Sequence, residues 1–206
     1  MRNLGLCLIL TAGGAQAETI VIAALGDSLT QGYGLLPQDG FVPQLEGWLR
    51  AQGADVTLIN AGVSGDTTAG GLSRVAWTLT PDVDAMIVAL GGNDMLRGID
   101  PANSRANLRG ILEAAQAQGV RVLLVGLQAP GNYGPDFKAE FDSMYADLGA
   151  EFGVAVFPSF FQGMLAGGDT GDTRASYMQA DGIHPNPEGV KLIVEAIGPA
   201  VRELMN

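Results

Sequence analysis

Apolar positions along this chain fall into five short runs, separated by longer segments in which apolar residues recur at helical spacing. Thr19 to Leu25 is a β-rich run and Val56 to Ile59 a second. Ala85 to Leu90 is continuously apolar, as expected of a strand buried on both faces. Val120 to Val125 and Val154 to Phe157 are the fourth and fifth. Between them, Phe41, Leu45, Trp48 and Leu49 mark one helix. Leu72, Val75, Ala76 and Leu79 mark the next, with Thr67 or Thr68 as its cap. Asp100-Pro101 opens another, because a capping carboxylate precedes a proline at the first helical position. Leu108, Ile111, Leu112 and Ala115 face inward on it, and Gly119 ends it. Phe137, Phe141, Met144, Tyr145, Leu148 and Phe152 form a strong amphipathic helix. Val190, Ile193, Val194, Ile197 and Val201 mark the last one, with a kink expected at Pro199. Strands alternating with helices in this way predict an α/β fold with a parallel, doubly wound sheet. Ligands of such sheets bind beyond the carboxyl ends of the strands.

The N-terminus departs from this pattern. Arg2, the apolar stretch Leu4 to Leu10 and the small-residue site Ala15-Gln16-Ala17 read as a secretory signal peptide cut after Ala17. The stretch is too short to span a bilayer. The expected organisation is a leader over 1–17 and one domain over 18–206, exported to the periplasm or the medium, with no stable membrane insertion. Cys7 is the only cysteine and lies in the leader, in a poor context for lipid attachment. The mature chain then has no thiol, which excludes a disulfide framework, a cysteine nucleophile and thiolate metal sites. The formal charge of -11 becomes one unit more negative when Arg2 leaves. Such a surface repels nucleic acid at long range, so no nucleic-acid partner is expected.

The chemistry-bearing residues fall at the ends of the predicted strands. Gly26-Asp27-Ser28 follows the first, Ser64-Gly65-Asp66 the second and Gly91-Gly92-Asn93-Asp94 the third. A serine hydroxyl is a weak nucleophile until a base takes its proton. In a Gly-rich turn, Ser28 serves equally well as a helix cap. Residue 30 is Thr, so the segment is not the Gly-x-Ser-x-Gly elbow of α/β-hydrolases. The one histidine, His184, follows Asp181 by three residues in Asp181-Gly182-Ile183-His184-Pro185. That spacing lets a carboxylate reach Nδ1 and fix the ring's tautomer. The alternative is a surface turn before Pro185. Asn93 can donate its amide to an oxyanion, and Gly65 can donate its backbone N–H. Read singly, a Gly-Gly-Asn-Asp segment is also an ordinary turn.

Taken together, these four segments resemble the SGNH, or GDSL, hydrolase superfamily. Its four marker residues correspond to Ser28, Gly65, Asn93 and His184. The resemblance runs from about Ile20 to the last helix. Gly91 to Gly98 and the Asn132-Tyr133-Gly134 loop point to its arylesterase and thioesterase/lysophospholipase subgroup. The resemblance implies a flavodoxin-like, three-layer α/β/α fold with a five-stranded parallel sheet. It also implies a Ser28–His184–Asp181 triad and an oxyanion hole of Ser28 N–H, Gly65 N–H and the Asn93 side chain. No cofactor and no metal are expected.

The expected substrate is a small acyl ester or thioester. Its pocket is sought in the apolar segment Phe160, Phe161, Met164 and Leu165, together with Leu35 and Leu96. These side chains serve as pocket wall or as core filler, since both uses take the same residues. A carbohydrate O-acetylesterase of the same superfamily is the rival; it would want a polar, aromatic-lined groove. A non-catalytic binding protein on the same sheet is a further alternative, which a base three residues from its orienter disfavours. A metallohydrolase is poorly served by one histidine. Oligomeric state is not encoded in these patterns.

Overall fold

The computed structural model describes residues 19–206; the leader expected over 1–17, with Cys7, lies outside them. Five strands form one sheet: β1 (Ile20–Gly26), β2 (Val56–Gly62), β3 (Ala85–Ala89), β4 (Arg121–Val125) and β5 (Ala155–Phe157). Their order is β2-β1-β3-β4-β5, and every neighbouring pair is parallel. The main helices are α2 (Phe41–Ala51), α3 (Thr68–Thr78), α5 (Pro101–Ala117), α6 (Pro135–Phe152) and α8 (Pro187–Glu203). α3, α5 and α6 pack side by side, and α2 packs against α8. This is the three-layer α/β/α arrangement. Right-handed crossovers require it, because β1 connects outward to β2 and the chain then returns across β1 to β3.

β3 has no exposed residue, and its continuous apolar run reflects helices on both faces. β2 continues through Asn60, Ala61 and Gly62, beyond the run that ends at Ile59. It is an edge strand, so its last residues keep pairing with β1 without contributing apolar side chains to the core. Three short helices have no periodic stripe and escape a sequence reading: α1 (Ser28–Gln31), α4 (Gly92–Leu96) and α7 (Gly171–Tyr177). Between the two candidate caps of α3, Thr67 takes the role, its side chain accepting from the Gly70 N–H. Pro199 lies inside α8 without ending it. No helix among the described residues is long and apolar enough to cross a membrane.

Two glycines bring the first loop into place. A Cβ on Gly26 would overlap Thr30, and one on Gly62 would overlap the backbone of Gln31. Their absence lets α1 lie directly on the ends of β1 and β2. Behind the third loop, Asp94 is buried, 1% exposed. Its carboxylate accepts from Thr68 N at 2.9 Å, Thr68 Oγ1 at 2.5 Å and Ser104 Oγ at 2.9 Å. α3, α4 and α5 are thereby tied to one side chain.

Asp94→Ala would orphan three buried donors. The expected loss is about 3–5 kcal/mol, a fall of roughly 10 °C in Tm for a chain of this size. Thermal denaturation of the variant checks it; a fall of only a degree or two would show that water or neighbours replace the carboxylate.

Candidate active site

The strand order reverses at β1, and the crevice beyond that reversal gathers the loops after β1, β2 and β3. Asp27 ends the first of these. Its side chain caps α1, accepting from Leu29 N at 3.0 Å. Ser28 is therefore the first helical residue, half-buried, with its hydroxyl at the crevice. Arg74 on α3 clasps the ends of both strands from behind. It donates to Gly26 O at 2.8 Å, Ala61 O at 2.7 Å and the Asp66 carboxylate at 2.7 Å.

The loop before α8 arrives from the other side. Met178 bridges to Pro185, and Gln179 N donates to His184 O at 2.7 Å, closing a tight loop. The Gln179 amide donates to Pro185 O at 3.0 Å and to Tyr33 O at 2.8 Å, joining this loop to the one after α1. Asp181 Oδ1 accepts from the N–H groups of Ile183 (2.9 Å) and His184 (3.0 Å), which aims the other oxygen. That oxygen, Oδ2, lies 2.6 Å from His184 Nδ1, and His184 Nε2 lies 2.9 Å from Ser28 Oγ. The His184 bond and the two backbone donors hold the Asp181 pKa down at about 2. Asp181 is thus an anion above that pH. It accepts the Nδ1–H, which leaves Nε2 free to accept the Ser28 proton. The Tyr33 ring lies 4.6 Å from the imidazole and tilted to it by 37°.

Gly65 takes φ +81°, the conformation glycine adopts at little cost. Among the described residues, no backbone hydrogen bond uses the N–H of Ser28 or of Gly65. Asn93, on α4, donates one amide hydrogen to Asp27 Oδ2 at 3.4 Å and has a second to give. All three groups border one cleft with Ser28 and His184. A negative oxygen formed beside Ser28 would therefore meet unengaged donors.

The cleft has a volume of about 670 Å³. Of the residues singled out as pocket wall, Leu96, Phe161, Met164 and Leu165 line it, joined by Leu127 and Met178. Phe160 and Leu35 do not. Phe160 is 1% exposed, its ring 5.1 Å from that of Phe41 in the core. Leu35 packs against the same core from its edge. Phe160 is core filler beside a neighbour, Phe161, that lines the cleft, and Leu35 is filler on the loop after α1. The lysine and arginine at the cleft are paired: Lys138 with Asp142 and Arg174 with Asp169. Tyr33 and Gln179 contribute to the site without any mark in the sequence pattern, since their contacts cross between loops; Asp27 is marked there only as part of the Gly26-Asp27-Ser28 turn.

Burial pushes the Asp27 pKa up from 3.8 to about 6, against the bonds from Leu29 and Asn93. A raised pKa means that the folded state favours the proton. The resulting stabilisation is complete below about pH 4 and is lost as pH climbs through about 6. Asp27→Asn removes this titration. Its Tm relative to the parent is expected to rise between pH 4 and pH 7, by an amount equivalent to about 3 kcal/mol at most. Melting curves across that range check it; a constant difference at every pH would show that Asp27 does not titrate there.

The sequence of residues 24–192 matches the GDSL-like lipase/acylhydrolase family. Esterase TesA of Pseudomonas aeruginosa is 38% identical over 201 residues, spanning 97% of this chain and 96% of that protein. Thioesterase 1/protease 1/lysophospholipase L1 of Escherichia coli K12 is 32% identical over 200 residues, spanning 97% and 90%. Among solved structures, AlinE4, an SGNH-hydrolase family esterase, superposes with a TM-score of 0.74 at 42% identity, covering 93% of this chain and all of that one. A match over so much of the chain, at these identities, decides the assignment: the chain belongs to the GDSL-like lipase/acylhydrolase (SGNH hydrolase) family and is a carboxylic ester hydrolase.

Proposed function

We propose that the chain hydrolyses small acyl esters or thioesters through an acyl-enzyme on Ser28, with His184 as general base and Asp181 as its orienter. The single observation that carries this reading is the hydrogen-bonded line Asp181–His184–Ser28, at 2.6 Å and 2.9 Å, opening onto an apolar cleft. Ser28 Oγ attacks the carbonyl carbon while Nε2 takes its proton. The carbonyl oxygen becomes an oxyanion, held by the N–H groups of Ser28 and Gly65 and the free Asn93 amide hydrogen. As the intermediate collapses, the imidazolium gives its proton to the departing alkoxide, phenoxide or thiolate. Water then attacks the acyl-enzyme, His184 takes its proton and returns it to Ser28 Oγ, and the carboxylic acid leaves. The Asp181 anion stabilises the imidazolium in both halves of the cycle.

The apolar wall of Leu96, Leu127, Phe161, Met164 and Leu165 suits an alkyl or aryl acyl group better than a sugar. The names of the similar proteins, esterase, arylesterase and thioesterase/lysophospholipase, support the same substrate class. Export by cleavage after Ala17 belongs to this proposal, with a mature N-terminus at Glu18 as its signature in an intact-mass measurement.

A fluorophosphonate is expected to add once, at Ser28. Ser64 is the control, because its hydroxyl bonds to Gln31 Oε1 at 3.0 Å and has no base. Ser28→Ala and His184→Ala should each lower kcat by about four orders of magnitude. Asn93→Ala should lower kcat about a hundred-fold with KM nearly unchanged, since its donor meets charge that exists only in the transition state. Labelling at Ser64, or full activity in His184→Ala, would overturn the assignment.

A series of p-nitrophenyl esters tests the pocket. Each buried methylene contributes about 0.8 kcal/mol, so kcat/KM is expected to climb with chain length until the cleft is filled and then fall. Phe161→Ala should move that optimum to longer chains. A preference for sugar acetates over every alkyl ester would favour the carbohydrate esterase instead.

A further inference from the structure

Arg97 reaches from the end of α4 to the loop after β2. Arg50, Arg74, Arg105, Arg109 and Arg174 each pair with a carboxylate. Arg97 is exposed and makes no salt bridge among the described residues; its guanidinium donates to Gly65 O at 2.7 Å. Its backbone N–H meanwhile donates to Asn93 O at 3.1 Å, closing the end of α4. One residue thus touches both segments that carry oxyanion donors outside the Ser28 loop.

The carbonyl it holds matters because of the turn around it. Asp66 N donates to Val63 O at 3.0 Å, so Val63–Asp66 is a closed β-turn with Gly65 in its third position at φ +81°. That is the position where a type II turn requires positive φ. The peptide joining Gly65 to Asp66 has its N–H bonded to Val63 and its C=O bonded to Arg97. It is pinned at both ends. The preceding peptide, Ser64 to Gly65, carries the Gly65 N–H that borders the cleft. Arg97's grip on the Gly65 carbonyl sets where this turn stands against the end of α4, and with it where the Gly65 N–H stands relative to Asn93.

We propose that Arg97 is a positioning residue for the oxyanion hole: by gripping the Gly65 carbonyl from the end of α4, it fixes the β2–α3 loop, and with it the Gly65 donor, against the loop that carries Asn93. The proposal rests on the reading of Gly65 and Asn93 as oxyanion donors. Arg97 acts on the transition state through Gly65 and does not touch substrate.

The test compares Arg97→Ala, Arg97→Lys and Asn93→Ala with the parent on a short p-nitrophenyl ester, with Tm measured on each. Because Arg97 is exposed, its removal should leave Tm unchanged. Arg97→Ala should lower kcat about ten-fold, as small misplacements of a donor do, with KM within about two-fold. Arg97→Lys, which keeps one donor, should recover most of the loss. The loss should persist in about 0.5 M NaCl, where charges acting at a distance are screened. Unchanged kcat in Arg97→Ala alongside a large loss in Asn93→Ala overturns the proposal and leaves the oxyanion reading intact. A rise in KM at constant kcat makes Arg97 a substrate-binding residue, and a loss abolished by salt makes it a long-range charge; either overturns the proposal. Full activity in Asn93→Ala overturns the oxyanion reading and the proposal with it.

Discussion

Two crossovers that run to opposite sides of β1 impose the architecture of this site. The connection through α2 carries the chain from β1 outward to β2, and the one through α3 brings it back across β1 to β3. Neither crossover can cover the carboxyl end of β1, so a crevice stays open there. Three loops must then converge on it, because three adjacent strands end at it. Ser28, Gly65 and Asn93 are neighbours for that reason. The fourth loop, with Asp181 and His184, is free to dock from outside the sheet, since it belongs to none of the five strands.

Hydrogen-bonded clasps lie behind the crevice. Arg74 holds the ends of β1 and β2 to Asp66, and Asp94 holds α3, α4 and α5 together. Glycines at 26 and 62 let α1 sit on the strand ends without a spacer. These bonds tie the loops to one another, the kind of support that the proposed oxyanion donors require.

Two aspartates at the same crevice show how environment separates identical groups. Asp181 accepts three hydrogen bonds at the edge of the molecule, and its pKa is held down at about 2. Asp27 is buried among the loops, and its pKa is pushed up to about 6. The first is a permanent anion beside the imidazole. The second is a cap and a partner for Asn93, with a charge that the fold only weakly supports. Carboxylates whose environments push their pKa values apart are found where a site assigns them different tasks.

Hydrophobic periodicity determined the strands, the long helices and the parallel α/β class, because burial on two faces and on one stripe leaves different spacings in a sequence. The four loop segments were legible too: each lies at a strand end or beside the lone histidine, and side-chain type alone restricts what a serine, an asparagine and an Asp–His pair can do there. The one-turn helices α1 and α4 were not legible, since so short a segment shows no period. Neither was the division of Phe160 from Phe161, because an apolar side chain reads the same whether it meets core or cleft. The contacts of Asp27, Gln179, Arg74 and Arg97 join residues far apart in sequence. Only the tertiary structure decided them, because a hydrogen bond depends on distances between loops, and those are set by how the layers pack rather than by any local pattern.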